Sequence, residues 1–410
     1  MADLIASRGR FAATYTVVPA GLPIEAVAEA TAAEQSSGTF VAVPGETPEL
    51  IEGHGARVER IIEHPTRDGA YAMTLSWPQA SIDANVSMLY TTLVGNAMSF
   101  PTVTAMRLEC IHLAPEFAAC FPGPAFGVRG TRRLAGVEQR PLIGTIVKPS
   151  IGLSAAQTAA LVQPLAAAGL DFVKDDELNS NPAHAPLLER VRAIQPVIDE
   201  AAHRTGRKLM YAYNITGSVE QMLRRHDAVL AAGGTCVMVN VNAVGLAGLQ
   251  AVREHSALPI HGHPAGWGAF MRATDFGVSF GAYQMLTRLA GTDHMHVGSL
   301  ASKFQLEEGL TAPVAARMCL ERVAANADDR LLPAFSGGQT VRHLAPTLEQ
   351  VGSDDFLYLA GGSMHTHPTS AAAGCIALFQ ACEAARTGIA LEDAARMHSE
   401  LRLALQGASS

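Results

Sequence analysis

The sequence predicts an α/β protein of two domains, a (β/α)8 TIM barrel over residues 136–410 behind a small α+β domain over 1–135. Three observations carry this. A chain of 410 residues is long for a single core. From about residue 140 onward, short apolar runs alternate with longer amphipathic ones. There are eight such runs in about 250 residues, with no signal of a reversal, which favours a closed barrel over a doubly wound sheet.

The elements follow in chain order. "FAATYTVVPA" and "GAYAMTLSWP" carry the β-formers and apolar patterning of strands. "PIEAVAEATAAEQ" and "ANVSMLYTTLVGNAM" have helical composition and period. The eight barrel runs are "PLIGTIVKP", "LDFVKDDE", "KLMYAYNIT", "CVMVNVNAVG", "PIHGHPAG", "DHMHVG", "LLPAFSGG" and "FLYLAGG". Helical segments such as "SAAQTAALVQPLAAAG" and "PLLERVRAIQPVIDEAA" separate most of them.

Composition narrows the function. With 48% hydrophobic and 17% charged residues the chain is an ordinary globular protein. A net charge of −8 and no basic cluster argue against a nucleic-acid partner. No apolar run reaches the roughly 18 residues of a membrane span. The N-terminal text lacks the apolar core of a secretory signal. Six cysteines form no C-x-x-C pair and suit reduced thiols. The expectation is a cytoplasmic enzyme.

In a barrel of this kind the C-terminal strand ends carry the chemistry. Here they offer Lys148, Lys174, Asp176, Glu177, Asn214, Asn240, Asn242, His261, His263, His294, His296, Ser336 and the pairs Gly337–Gly338 and Gly361–Gly362. Contact with water explains some polar strand ends. It does not explain lysines, carboxylates and four histidines on one rim.

The stretch "GLDFVKDDELN" reads alone as a solvated salt-bridge cluster. Strand alternation gives it a second meaning: Phe172, Lys174 and Asp176 share one face, Val173 and Asp175 the other, and Glu177 follows at the bend. An ammonium cannot ligate a metal. A neutral lysine that adds CO2 becomes a carbamate, and carbamate plus two carboxylates make three anionic oxygen ligands for Mg2+.

These residues carry a resemblance. "GLDFVKDDE" resembles the magnesium-site motif of the ribulose-bisphosphate carboxylase (RuBisCO) large chain. "GTIVKPSIGLS" is similar to that family's preceding strand and loop, and "DHMHVGSLASK" to its sixth-strand loop. "LPAFSGG" and "LYLAGG" resemble its phosphate-binding turns, while "EQSSGTF" and "LVGNAMSF" match in the N-terminal domain. The resemblance implies an N-terminal domain of ferredoxin-like type and Mg2+ held by CO2-carbamylated Lys174 with Asp176 and Glu177. It gives Lys148 the place of a base near the substrate, His261 and His296 those of substrate-facing histidines, and Lys303 that of the mobile lysine after strand six. Ser336, Gly337, Gly338, Gly361 and Gly362 match a phosphate cradle, a role that backbone N–H groups of glycine-rich turns can fill. Glu34, Thr39, Phe40 and Asn96 match residues lent by a second subunit, which implies a homodimer or a larger assembly with shared sites.

Departures from the family pattern point away from CO2 fixation. The second lysine of K-P-K is Ser150, and Phe40 replaces tryptophan. The loop at Lys303 reads "SKFQLEEG". The arginine expected after the fifth-strand histidine, which grips a second phosphate, is missing. The chain therefore resembles the RuBisCO-like (form IV) proteins, which keep the metal and the enolate-forming step. The reading is enolate chemistry on a monophosphate, decarboxylating or cleaving a 3-oxo sugar-acid phosphate. Polarity at the rim, including His365 and His367, favours this substrate. The alternative is a 2,3-diketo-5-methylthiopentyl-1-phosphate enolase or 5-methylthioribulose-1-phosphate isomerase of methionine salvage, with Trp267 and Phe270 lining an apolar pocket. A non-catalytic binder of a phosphorylated metabolite is the reading of another class, and a Schiff-base aldolase a third. Taken singly, His263 and His294 read as structural histidines, Trp267 as packing, and His365 with His367 as weak evidence for a second metal.

Overall fold

The computed structural model describes residues 9–38, 43–305, 307–325 and 327–407. The chain forms two compact units. The first comprises 1–123 with 266–290 and 322–327, and the second 124–265 with 291–321 and 328–410. Strands β1 (Arg10–Pro19), β2 (Arg57–Glu63), β3 (Tyr71–Pro78) and β4 (Val103–His112) lie in the first unit. Strands β5 (Leu142–Ile146), β6 (Phe172–Lys174), β7 (Met210–Asn214), β8 (Cys236–Asn240) and β9 (Ile260–His263) belong to the second. The short β10 (Phe276–Val278) returns to the first unit, and β11 (His294–Gly298), β12 (Leu332–Phe335) and β13 (Leu357–Leu359) complete the second.

The first unit is a five-stranded sheet in the order β10-β4-β1-β3-β2, with helices Ile24–Glu34 and Val86–Val94 in its connections. β1 pairs antiparallel with β3 and β4, and β10 joins β4 in parallel. The order β4-β1-β3-β2 with two helical crossovers is the ferredoxin-like arrangement. Its core holds Phe11 stacked on both Trp77 and Phe117, with ring centroids 5.7 Å apart in each pair.

In the second unit eight parallel strands close in the order β11-β12-β13-β5-β6-β7-β8-β9. All eight apolar runs supply a barrel strand. The strands are buried on both faces, which is why they read as near-continuous apolar text. Inside, Leu142, Phe172, Met210, Ala212, Cys236, Met238, Leu332, Ala334, Leu357 and Leu359 pack into one cluster. Helix Gly127–Ala135 adds Val128 and Ala135 to that cluster. Its start is tied to the barrel by Asp293, whose carboxylate accepts from the amides of Phe126 (2.6 Å), Gly127 (2.8 Å) and Ile260 (2.7 Å). Capping boxes at Ser154–Gln157 and Ser218–Gln221 start the helices after β5 and β7. Among the described residues no helix is long and apolar enough to cross a membrane.

Candidate active site

Lys174 is the last residue of β6 and 1% exposed. Its inward neighbour one layer down is Phe172, in the apolar cluster. Its Nζ donates to the Asp175 carbonyl at 3.1 Å, lies 3.7 Å from Met238 Sδ and pairs with Glu177 Oε2 at 3.4 Å. Burial pulls the pKa of this ammonium below the ordinary lysine value, against Glu177 and Asp176, which push it up.

The three acids beyond it divide by direction. Asp175 turns outward and is fully buried, accepting from Arg190 Nη2 (3.0 Å), the Tyr211 hydroxyl (2.7 Å) and the Asn214 amide (2.9 Å). It anchors the loop. Asp176 accepts from Lys148 Nζ at 2.7 Å, and the same ammonium donates to Ser150 Oγ at 2.9 Å. Burial works to raise the Asp176 carboxyl, but the Lys148 hydrogen bond and charge, with the Leu178 amide and Lys174, outweigh it and hold the group below its ordinary value. The Asn214 carboxamide donates to the carbonyls of Asp176 (3.2 Å) and Glu177 (3.1 Å), and Asn240 donates to that of Glu177 at 2.8 Å. Two side chains from neighbouring strands thus hold the acidic loop by its backbone.

Next to this cluster runs a chain of histidines. His294 on β11 pairs in register with His261 on β9, so alternation sends 261, 263, 294 and 296 to the same interior. Thr131 Oγ1 donates to the Gly127 carbonyl at 2.6 Å, which leaves it an acceptor for His294 Nε2–H at 2.8 Å. His294 Nδ1 then accepts from His261 Nδ1 (3.4 Å), His261 Nε2 from His296 Nε2 (2.8 Å), and His296 Nδ1 from Ser336 Oγ (2.7 Å). One assignment of protons satisfies every link, with each ring neutral. Burial drives it: His294 is pulled down to about 3, and His261, His263 and His296 well below the usual imidazole value.

Of the two histidines expected to face substrate, His296 reaches Ser336, whereas His261 sits lower, 0% exposed, against Phe172 and His294. His263, read as structural, is partly exposed with its Nε2 3.4 Å from Glu177 Oε2. The two H-x-H spacings at the ends of adjacent strands were the signal for this cluster. Nothing in the local text of Asp175 or Thr131 marks their roles, since Arg190 and His294 reach them across long stretches of chain.

The glycine turns follow β12 and β13, which pair in parallel, so both sit at one rim. Gly337 and Gly338 have φ of +92° and +104°, and a Cβ on Gly338 would stand 2.8 Å from the Ala301 carbonyl oxygen. Glycine is required there. A Cβ on Gly362 would meet nothing within 4 Å. The exposed Lys303 side chain lies over the Phe304 ring, Nζ 5.0 Å from its centroid, while its amide bonds to the Gly337 carbonyl at 3.4 Å.

His365 and His367 do not converge: His365 Nε2 bonds to the Ile146 carbonyl (3.0 Å) and His367 Nε2 to that of Glu400 (3.0 Å). In the first unit Asn96 Nδ2 donates to Glu34 Oε1 at 3.1 Å, and Trp267 packs edge-on to Phe280. Thr39 and Phe40 lie outside the described residues.

The donor set fits a hard divalent ion. Asp176 and Glu177 offer carboxylate oxygens, and burial disfavours the charged form of Lys174, the condition under which an amine would add CO2 and become a third oxygen anion.

Residues 127–407 match the family model of the ribulose bisphosphate carboxylase large chain, catalytic domain, and residues 2–117 match the model of its N-terminal domain. The 3-oxo-isoapionate-4-phosphate transcarboxylase/hydrolase of Xanthobacter autotrophicus is 45% identical, the match covering 97% of this chain and 98% of that one. The 3-oxo-isoapionate-4-phosphate decarboxylase of Rhizobium etli is 39% identical over 95% of this chain and 96% of its own. The crystal structure of a RuBisCO-like protein from Burkholderia fungorum superposes with a TM-score of 0.89 at 40% identity, covering 97% of this chain and 99% of that one. A barrel whose second strand ends in Lys174 above Asp176 and Glu177, joined to a ferredoxin-like sheet and matched along nearly its whole length, belongs to the ribulose bisphosphate carboxylase large-chain family, among its RuBisCO-like members.

Proposed function

We propose that the chain is a Mg2+-dependent enzyme that decarboxylates or cleaves a 3-oxo sugar-acid monophosphate and does not fix CO2 on a bisphosphate. The observation that carries this reading is the pairing of Lys148 with Asp176 at 2.7 Å and of Lys174 with Glu177 at 3.4 Å at the ends of two adjacent barrel strands. Two relatives at 45% and 39% identity bear names for reactions of 3-oxo-isoapionate 4-phosphate, which supports the substrate class. Mg2+, held by carbamylated Lys174 with Asp176 and Glu177, would supply positive charge that makes the substrate's oxo group an electron sink.

The rest falls to the chain's own side chains. Amides of the Gly337–Gly338 and Gly361–Gly362 turns would bind the phosphate and fix the oxo acid's register. When the bond to the carboxylate breaks, its electron pair moves toward the oxo group, CO2 leaves, and the carbon left behind must receive one proton. Lys148 Nζ, held by Asp176 and Ser150, is the donor in this reading. In the cleavage reaction water attacks the oxo carbon, and the same lysine protonates the departing carbon. His263 and His296 are kept neutral by burial and add no competing cation beside the metal ligands. Glu34, Thr39 and Asn96 would complete the site of a second copy in a homodimer.

The test is incubation of the Mg2+- and bicarbonate-activated protein with 3-oxo-isoapionate 4-phosphate, followed by carbon-13 and phosphorus-31 NMR. The reading expects consumption with release of CO2 or of two cleavage products, and none with ribulose 1,5-bisphosphate. Saturable binding without turnover would replace it with a phosphometabolite-binding protein.

A further inference from the structure

Away from the barrel mouth, on the outer helices, three metal-ligating side chains meet. His226 and Asp227 are consecutive on helix Val219–Ala231, which follows β7. His255 ends the helical stretch Val241–His255, which follows β8 and packs beside the first. Asp227 Oδ1 lies 3.0 Å from His226 Nδ1 and 2.6 Å from His255 Nε2, and the two imidazole rings stand edge to face with centroids 5.2 Å apart. One ligand atom from each residue lies within 4.8 Å of the others.

The spacing is close to what a small ion needs. Tetrahedral bonds of about 2.0–2.1 Å put neighbouring ligand atoms about 3.3 Å apart, so an opening of about 0.3 Å at His226 and about 0.7 Å at the exposed His255 side chain would admit the ion. His226 is held by burial, its side chain 1% exposed, while Asp227 and His255 are 58% and 39% exposed, which leaves an approach from solvent. The His226 ring also has an unsatisfied nitrogen: Nε2 is buried and without a hydrogen-bond partner among the described residues. With Nδ1 facing Asp227, the ring is committed to this cluster.

We propose that His226, Asp227 and His255 form a surface binding site for a divalent transition ion of the Zn2+ type, which clips together the helices following β7 and β8. Two imidazole nitrogens and one carboxylate oxygen select a borderline ion over Mg2+, whose preference is for oxygen donors such as those at Lys174, Asp176 and Glu177. Three protein ligands leave a fourth position to water. The three residues sit on the two helices and not at the strand ends that carry Lys174, Asp176 and Glu177, so the role proposed for the site is mechanical.

The experiment is calorimetric titration of the full chain with Zn2+ in Mg2+-saturated buffer, for wild type, His255→Ala and Asp227→Asn. Both substituted side chains are partly exposed, so folding is preserved, and circular dichroism checks it. The expected result is one more equivalent of Zn2+ on wild type than on His255→Ala, or the same equivalent at least about tenfold weaker in both variants. Zn2+ should raise the Tm of wild type and not of His255→Ala. Any Zn2+ that displaces Mg2+ at Lys174 contributes equally to all three proteins and cancels in the comparison. Equal stoichiometry and affinity in wild type and variants would overturn the proposal. So would failure of wild type to bind Zn2+ below millimolar concentration, which would leave the trio a hydrogen-bonded clasp only.

Discussion

Lys148 Nζ lies 2.7 Å from Asp176 Oδ2, so the lysine after the first barrel strand is hydrogen-bonded to the carboxylate loop of the second. The pair places Lys148 at the rim with its proton directed at a carboxylate that the proposed Mg2+ site would also use. Replacing Lys148 by Met removes the proton donor and leaves Lys174 and Glu177 in place. Decarboxylation should fall by about 10²–10⁴-fold in kcat, with KM within a few-fold of wild type. A KM effect alone would assign Lys148 to substrate binding.

Asp175 and Arg190 are a fully buried ion pair, 3.0 Å apart, that fixes the loop between Lys174 and Asp176. Arg190→Met strands the Asp175 carboxylate with only Tyr211 and the Asn214 amide. Loss of one partner of such a pair costs about 3–5 kcal/mol. Urea unfolding should show a loss of that order, and unchanged stability would contradict the anchoring role.

The four interior histidines predict acid sensitivity. Their folded-state pKa values are depressed, so the unfolded chain binds more protons below the ordinary value of 6.5. Stability from their burial is fully present above that pH and is lost as pH falls, for His294 down to its folded value of about 3. Each contributes up to about 1.4 kcal/mol per pH unit in that window. Urea midpoints measured from neutral pH to about pH 5 should fall accordingly, and His294→Gln should give a shallower slope. An identical slope in the variant would contradict the burial argument.

The glycine turns give a matched pair of variants. Gly338→Ala forces a Cβ to within 2.8 Å of the Ala301 carbonyl at a φ of +104°, and should destabilise the turn by about 1–3 kcal/mol while raising KM for a phosphorylated substrate. Gly362→Asp enters open space, so folding is spared and its added charge should raise KM alone. If Gly362→Asp leaves KM unchanged, the phosphate binds elsewhere.

The shared-site proposal predicts complementation. Homodimers of Asn96→Ala and of Lys174→Ala should each be inactive, and mixing with refolding should restore part of the activity. Absence of recovery would mean that each subunit's site is self-contained.

Much of this architecture was legible because strand and barrel rules act locally. Eight apolar runs became eight strands, and alternation placed Phe172 and Lys174 inward. Alternation also put Asp175 on the opposite face, where it meets Arg190, but the partner that Asp176 meets in the loop, Lys148, comes from another element and could not be read from spacing. The roles of His261 and His263 separate for the same reason: spacing put both on one face, and only depth in the barrel tells which meets Phe172 and which meets Glu177. β2 and β4 carried no turn or periodicity signal strong enough to be read, since their pairing with β3 and β1 is long-range.

The most direct test of the central claim is carbon-13 NMR of the protein in labelled bicarbonate, with and without Mg2+, beside Lys174→Ala. The account predicts a carbamate resonance that Mg2+ strengthens and that the variant lacks. No Mg2+-dependent resonance, or the same resonance in both proteins, would contradict it and return Lys174 to a buried salt bridge with Glu177.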